Sequence, residues 1–234
     1  MKHIHSIEEF KNINEQLFGN MGKELLSLLG MGDSAKSSDE PIDLSVTSSF
    51  DEVVASVIDK LEGGYYHPDM LKDGRVKDSR YGASGETMMG IDRKAGGNIN
   101  TTPEGRAFWK IIDDAKASSE WKWNYKGGDK EETLKKMVSK MIKPLYDKYS
   151  TQYLSADSKK IVDANPKLLF NFIYAVWNGP GWFQKFAESF NAEVAKGNKN
   201  PTTLTKFAVG LRSNNSNSLI AQGGKKIEKI LDIA

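Results

Sequence analysis

Ser49-Phe50-Asp51-Glu52-Val53-Val54-Ala55-Ser56-Val57-Ile58-Asp59-Lys60-Leu61-Glu62-Gly63-Gly64-Tyr65-Tyr66 is the stretch on which the reading of the chain turns. Ser49 followed by Glu52 forms a capping box, in which each side chain satisfies a backbone N–H left free at a helix start. Phe50, Val53, Val54, Val57, Ile58 and Leu61 then fall on one stripe at helical spacing, and Gly63-Gly64 ends it. The spacing predicts an amphipathic helix that buries one face and delivers Glu62 at its C-terminal end.

Downstream, residues 65–100 are glycine-rich and polar with little helical period, which predicts an irregular lobe with room for a short β-hairpin. Thr101, Pro103 and Glu104 open a second helix carrying Phe108, Trp109, Ile111 and Ile112. Asp129 and Glu132 open a third, with Leu134, Met137, Val138, Met141 and Ile142 inward until Pro144. Asn165-Pro166 caps an apolar helix, Leu168 to Trp177, that stops at Asn178-Gly179-Pro180-Gly181. Further helices are expected from Trp182 to Val194 and within 202–211 and 216–232. The fold class is therefore mainly α (α+β), a helical domain over 45–234.

Upstream, Ile7, Phe10, Ile13, Leu17, Phe18, Met21, Leu25 and Leu28 form a helical stripe over residues 1–30, interrupted by glycines. Residues 31–44 are small, polar and aperiodic, the composition of a linker. Two readings of 1–30 stand side by side: a helix docked on the main domain, or a device for binding another assembly protein or a membrane surface.

The 33 basic and 31 acidic residues leave a net charge of +2, so no field points to nucleic acid. Lys135-Lys136 and Lys225-Lys226 read as solvated helix faces. With no cysteine, disulfides and thiolate metal sites are excluded. The N-terminus lacks the apolar core of a secretory signal, and the apolar run from Leu168 to Trp177 is too short for a membrane span. The expectation is synthesis in a cytoplasm without a signal peptide and no stable membrane insertion.

Glu62 is the candidate for chemistry. Cleaving a glycosidic bond needs a carboxylic acid that keeps its proton near neutral pH. The negative end of a helix and the nearby Leu61, Tyr65 and Tyr66 act in that direction, and Gly63-Gly64 admit close approach. Taken alone, the segment also fits an exposed glutamate ahead of a helix-ending glycine pair. A second segment, Ser84-Gly85-Glu86-Thr87-Met88-Met89-Gly90-Ile91, adds a hydroxyl and two glycines at fixed offsets.

Together the two segments resemble glycoside hydrolase family 108, phage and bacterial N-acetylmuramidases with a Glu-Gly-Gly-Tyr motif followed by Gly-Gly-x-Thr-x-x-Gly-Ile. Glu62-Gly63-Gly64-Tyr65 matches the first motif in full. Gly85, Thr87, Gly90 and Ile91 match most of the second, with Ser84 in place of its first glycine. Phe170-Asn171-Phe172 through Trp177-Asn178-Gly179-Pro180-Gly181 is similar to the family's later helix and its Asn-Ser-Gly-Pro-like turn. The similarity spans roughly residues 45–195 and is dense only in these three patches.

The resemblance implies a lysozyme-like fold and hydrolysis of the β-1,4 bond between N-acetylmuramic acid and N-acetylglucosamine in peptidoglycan glycan strands. It makes Glu62 the general acid and Thr87 the hydroxyl that helps hold the attacking water. The family's second carboxylate, an aspartate before its glycine pair, is replaced by Gly82-Ala83-Ser84. Asp78 ranks first as a substitute and Glu86 second, with Asp69, Asp73 and Asp92 also nearby. Without such a partner a lytic transglycosylase becomes an alternative, as does a murein-binding or phage structural protein that has lost catalysis. Delivery by a holin or within a virion would fit the missing signal, with residues 1–30 contacting another phage protein.

Glycans bind in clefts lined by aromatic faces and hydrogen-bonding side chains. Tyr65, Tyr66, Tyr81, Asn178 and Trp182 are the expected substrate-binding residues, while Trp177 is as readily core. Trp121-Lys122-Trp123-Asn124-Tyr125 reads either as a subsite or as a hydrophobic lid. Asp92, Asp113 and Asp114 lack calcium-loop spacing, so no metal and no cofactor is expected.

Overall fold

Helix α1 spans Phe50–Lys60 and starts as its capping box dictates: Glu52 N–H donates to Ser49 Oγ at 3.3 Å, and Ser49 N–H to Glu52 Oε2 at 2.6 Å. Val53, Val54 and Val57 have no exposed surface, each such burial stabilising by about 1.5–3 kcal/mol. The structure, a computed structural model, describes residues 41–45, 47–66, 86–93, 98–122, 125–215 and 218–233. Segment 1–30, most of the expected linker, and Asp69, Asp73, Asp78, Tyr81 and Gly82-Ala83-Ser84 lie outside them.

Three two-residue strands follow: β1 (Tyr65–Tyr66), β2 (Thr87–Met88) and β3 (Ile91–Asp92), an antiparallel sheet in the order β1-β2-β3. Then come α2 (Asn98–Thr101), α3 (Pro103–Lys116), a 3-10 turn (Gly128–Lys130), α4 (Glu131–Tyr153), α5 (Ala156–Asp163), α6 (Pro166–Trp177), α7 (Pro180–Ala195), α8 (Pro201–Ser213) and α9 (Ser218–Ile230). Over the described residues the protein is mainly helical with one small sheet, in line with the mainly α class read from the sequence.

Helix α6 is the centre. Asn165 caps it, its Oδ1 accepting from Leu168 N–H at 3.0 Å. Leu168, Phe170, Asn171, Phe172, Ile173 and Ala175 are all without exposed surface, so α6 is buried nearly all round. It touches α1, α4, α5, α7 and α8. The Phe172 ring meets Phe183 at 5.5 Å, Phe186 at 4.8 Å and Phe190 at 5.2 Å, which seats α7 along it.

Several sequence expectations need correction. Helix α4 does not stop at Pro144 but runs through it to Tyr153. Pro144 sits on the exposed face, and Tyr146 and Ser150 continue the buried stripe, so burial beyond the proline outweighs the lost backbone hydrogen bond. The start of α4 carries no side-chain cap; the 3-10 turn leads into it instead of an Asp129–Glu132 box. Thr102, not Thr101, caps α3, accepting from Gly105 N–H at 3.0 Å. Helix α5, capped by Ser155, was not anticipated.

Lys135 is not a solvated lysine: its side chain is 10% exposed and pairs with Asp59 at 2.7 Å and Glu131 at 3.0 Å, tying α4 to α1. The end of the expected linker belongs to the domain. Ile42 and Leu44 pack on the core, and Ile42 N–H donates to Ile230 O at 2.8 Å.

The two glycines after Glu62 differ sharply. A Cβ on Gly63 would meet nothing within 4 Å, whereas one on Gly64 would lie 2.5 Å from the Tyr125 carbonyl oxygen. That carbonyl also accepts from Tyr65 N–H at 2.8 Å, so the close approach is built into the sheet edge. Gly63→Ala should change stability by less than about 0.5 kcal/mol. Gly64→Ala should cost about 1–3 kcal/mol in urea unfolding, because backbone must move to admit the methyl group.

Candidate active site

Glu62 lies one residue beyond the α1 C-cap, its N–H donating to Val57 O at 3.2 Å. What it faces comes from the β2–β3 hairpin and from α6. Met89 and Gly90 join β2 to β3 with φ of +50° and +73°, the positive pair that a two-residue hairpin turn of the primed type requires. Gly90 is forced twice over. Besides its φ, a Cβ there would lie 2.5 Å from Glu62 Oε2 and 2.5 Å from Trp177 Nε1. The carboxylate of Glu62 and the indole of Trp177 thus meet across a bare glycine.

The hairpin is held in this position by side chains that sequence reading did not pick out. Asn100 Nδ2 donates to Asp92 O at 2.8 Å and Arg93 O at 2.9 Å, while its Oδ1 accepts from Trp109 Nε1 at 2.8 Å. Arg93 grips Asp113 with two hydrogen bonds of 2.8 and 2.6 Å and Glu86 with one of 2.6 Å. The sheet is thereby strapped to α3.

This strap accounts for Glu86. Expected as a second catalytic carboxylate, it is 10% exposed and accepts from Arg93, from Lys116 and from the Tyr65 hydroxyl at 2.8 Å. Burial works to raise its pKa, but hydrogen bonds from Lys116, Arg93 and Tyr65 outweigh it and hold the group below its ordinary value. Its oxygens are committed to holding the sheet.

Tyr65 is corrected with it. Rather than lining a cleft it is 8% exposed, its ring edge-on to Trp121 at 4.3 Å and its hydroxyl spent on Glu86. Trp121 and Tyr125 stack beside it at 4.9 Å, so these two members of the aromatic cluster pack against the sheet.

Asn178 also turns inward. Its Oδ1 accepts from Arg212 Nη1 at 3.0 Å and its amide hydrogen-bonds the Tyr174 oxygen. Arg212 is 1% exposed, donates to Asn171 O at 3.2 Å, and lies over the Tyr174 ring at 4.7 Å and the Phe186 ring at 5.0 Å. Burial brings its pKa down to about 10. Arg212 thus braces the last turn of α6 through Asn178 and Tyr174.

Thr87 stands in β2, partly buried, with its Cα opposite Asp92 and Tyr66 in the register. The side chain of Tyr66 lies outside the described residues. Trp182 is partly exposed in the first turn of α7, beyond the turn that Asn178 begins. Among the described residues no cluster of three histidines or carboxylates could hold a metal, and no helix is long and apolar enough to cross a membrane.

The electrostatics single out Glu62. Burial raises its pKa from the ordinary 4.5 to about 7, against the opposing charge of Lys226. The enclosing groups come from α6 and the hairpin, so burial dominates here and the helix end is secondary. Lys226 reaches this site because α9 packs closely: a Cβ on Gly223 would lie 3.7 Å from the Tyr174 hydroxyl, and one on Gly224 only 2.3 Å from Ser213 N. Burial and the Glu62 charge push the Tyr174 phenol up to about 12, so it stays neutral. The Gly223-Gly224 pair inside a helical pattern is the trace of this contact in the sequence, and Lys226, read as part of a solvated face, is partly buried and acts on Glu62 by its charge.

Comparison of the chain with protein-family models, with curated proteins and with solved structures yields no match.

A carboxyl with a raised folded-state pKa makes the unfolded state the better acid. Stability therefore falls as pH rises from 4.5 to about 7 and is flat in this contribution outside that window. Glu62→Gln should remove that slope: relative to wild type, the melting temperature should gain at pH 8 and not at pH 4.5. Gly90→Ala should displace both Glu62 and Trp177, costing about 1–3 kcal/mol in unfolding experiments and returning the Glu62 midpoint toward its ordinary value.

Proposed function

We propose that the protein is a peptidoglycan N-acetylmuramidase of phage type, with Glu62 as general acid. The observation that carries this reading is the placement of the Glu62 carboxyl, on a partly exposed residue just past α1, beside Gly90 and the Trp177 indole, where burial of the carboxyl raises its pKa to about 7. In the reaction, Glu62 gives its proton to the glycosidic oxygen as the bond to the anomeric carbon breaks. A water held near Thr87 attacks that carbon and leaves a reducing end. Asp78, from outside the described residues, is the candidate to take the water's proton, since Glu86 is engaged by Tyr65, Arg93 and Lys116.

The engagement of Glu86 favours a second reading, a lytic transglycosylase. There Glu62 first donates its proton to the leaving oxygen and then accepts the proton of the muramyl 6-hydroxyl as that oxygen closes on the anomeric carbon. The product is an anhydro sugar, and no water is consumed. A murein-binding protein without catalysis is the third possibility, and delivery by a holin or a virion belongs to the same proposal.

Purified protein incubated with peptidoglycan, followed by mass spectrometry of the soluble fragments, separates these readings. Reducing-end muropeptides support the muramidase, and anhydro-muropeptides support the transglycosylase. No release overturns both. Glu62→Gln should lower the rate by about 10²–10⁴-fold while leaving the circular dichroism spectrum unchanged.

A further inference from the structure

We propose that the indole N–H of Trp177 is the hydrogen-bond donor that receives the Glu62 carboxylate when it ionises. Trp177 would then be a positioning residue, acting on substrate only through Glu62. The inference rests on reading Glu62 as the acid that loses and regains a proton, but not on which bond is cleaved.

Trp177 Nε1 is buried and has no hydrogen-bond partner among the described residues. Buried donors are almost always paired, so an orphaned one calls for a function or a second state of its surroundings. An indole nitrogen donates and cannot accept. It has no access to solvent here, so its partner has to come from the groups already packed around it. The Glu62 carboxylate is an acceptor close to it, since Glu62 Oε2 and Trp177 Nε1 each lie 2.5 Å from the place a Gly90 Cβ would take. With no side chain at Gly90, nothing from that residue stands between the two groups.

The remaining groups around Glu62 do not fill this role. Tyr174, from α6, remains a phenol across the relevant range and hydrogen-bonds Asn178. Lys226, from α9, bears on Glu62 as a charge. Arg212, from α8, is turned to Asn178 and Asn171 behind the Tyr174 ring. Glu62 is only partly exposed, so its neutral carboxyl tolerates the site more readily than a carboxylate, which gains from a donor in place of the water it loses. Trp177 supplies it without giving up its own proton. The arrangement also explains why position 90 is glycine beyond the demands of its backbone: any side chain would fill the gap that the bond must cross.

The test follows the indole directly. In a ¹⁵N-labelled full-length chain, the Trp177 Nε1–H resonance, assigned by its loss in Trp177→Phe, should move downfield between pH 5 and 9. Its midpoint should equal that of the Glu62 carboxyl carbon, and the movement should vanish in Glu62→Gln. Trp177→Phe should lower the Glu62 ionisation constant about tenfold, moving its midpoint up by about one pH unit. An indole resonance that does not titrate, or that still titrates in Glu62→Gln, overturns the proposal. If Trp177→Phe does not fold, tryptophan resonances compared between wild type and Glu62→Gln still decide it, because only one should lose its titration. The muropeptide assay reads the muramidase separately: titration without cleavage removes the enzyme and keeps the pair, and cleavage without titration does the reverse.

Discussion

The structure depends on burying α6 on almost every side. A helix that presents Leu168, Phe170, Phe172, Ile173 and Ala175 to its neighbours has no polar face to lie in water, so α1, α4, α5, α7 and α8 must assemble around it. The polar residues inside that shell are then few and specific. Arg212 is the extreme case, a buried cation whose partners are an amide oxygen, a carbonyl and two aromatic faces. A charge so placed is costly to desolvate and has little freedom. It sits at the C-terminal end of α6, where a cation complements the helix dipole. The outcome is a last turn of α6 braced through Asn178 and Tyr174.

Against this fixed wall the candidate site is completed by a very small sheet. Six strand residues cannot hold their own geometry, and the straps from Asn100, Arg93 and Glu86 to α2 and α3 do so for them. Their joint effect is to press the Met89-Gly90 turn between Glu62 and Trp177. Met89, strained at φ +50°, is kept there by its burial at 2% exposure. The proton affinity of Glu62 is thus set by packing that starts far from it, in the aromatic core around Phe172 and in the ion network on Glu86.

Local signals in the sequence carried much of the helical layout and little of the site. Ser49 with Glu52, and Asn165 with Pro166, mark helix starts because capping is decided within four residues. Pro144 misled because its local cost was visible, while the gain from burying Tyr146 and Ser150 appears only once α4 has neighbours. Ser155, three residues ahead of Ser158, carried the start of α5 in a weak form. Glu62 was legible as chemistry, and Gly90 only as a glycine at a fixed offset from Thr87. Their contact with Trp177, and the roles of Tyr174, Asn178 and Arg212, join residues far apart in the chain and leave no spacing to read. Tyr65 and Glu86 look like site residues because they are polar and adjacent to Glu62 and Thr87. Strand alternation alone could have warned that Tyr65 shares a face with the buried Met88.

The bond from Ile42 N–H to Ile230 O, with Lys167 Nζ donating to Leu231 O at 2.7 Å, brings the first and last turns of the described domain to one edge. The consequence is mechanical. A force applied to the backbone at residue 41 enters the fold at the end of α9, through Ile230, and along the chain into α1. A tether at that point therefore loads two elements together: α9, which carries Lys226, and α1, at whose end Glu62 stands.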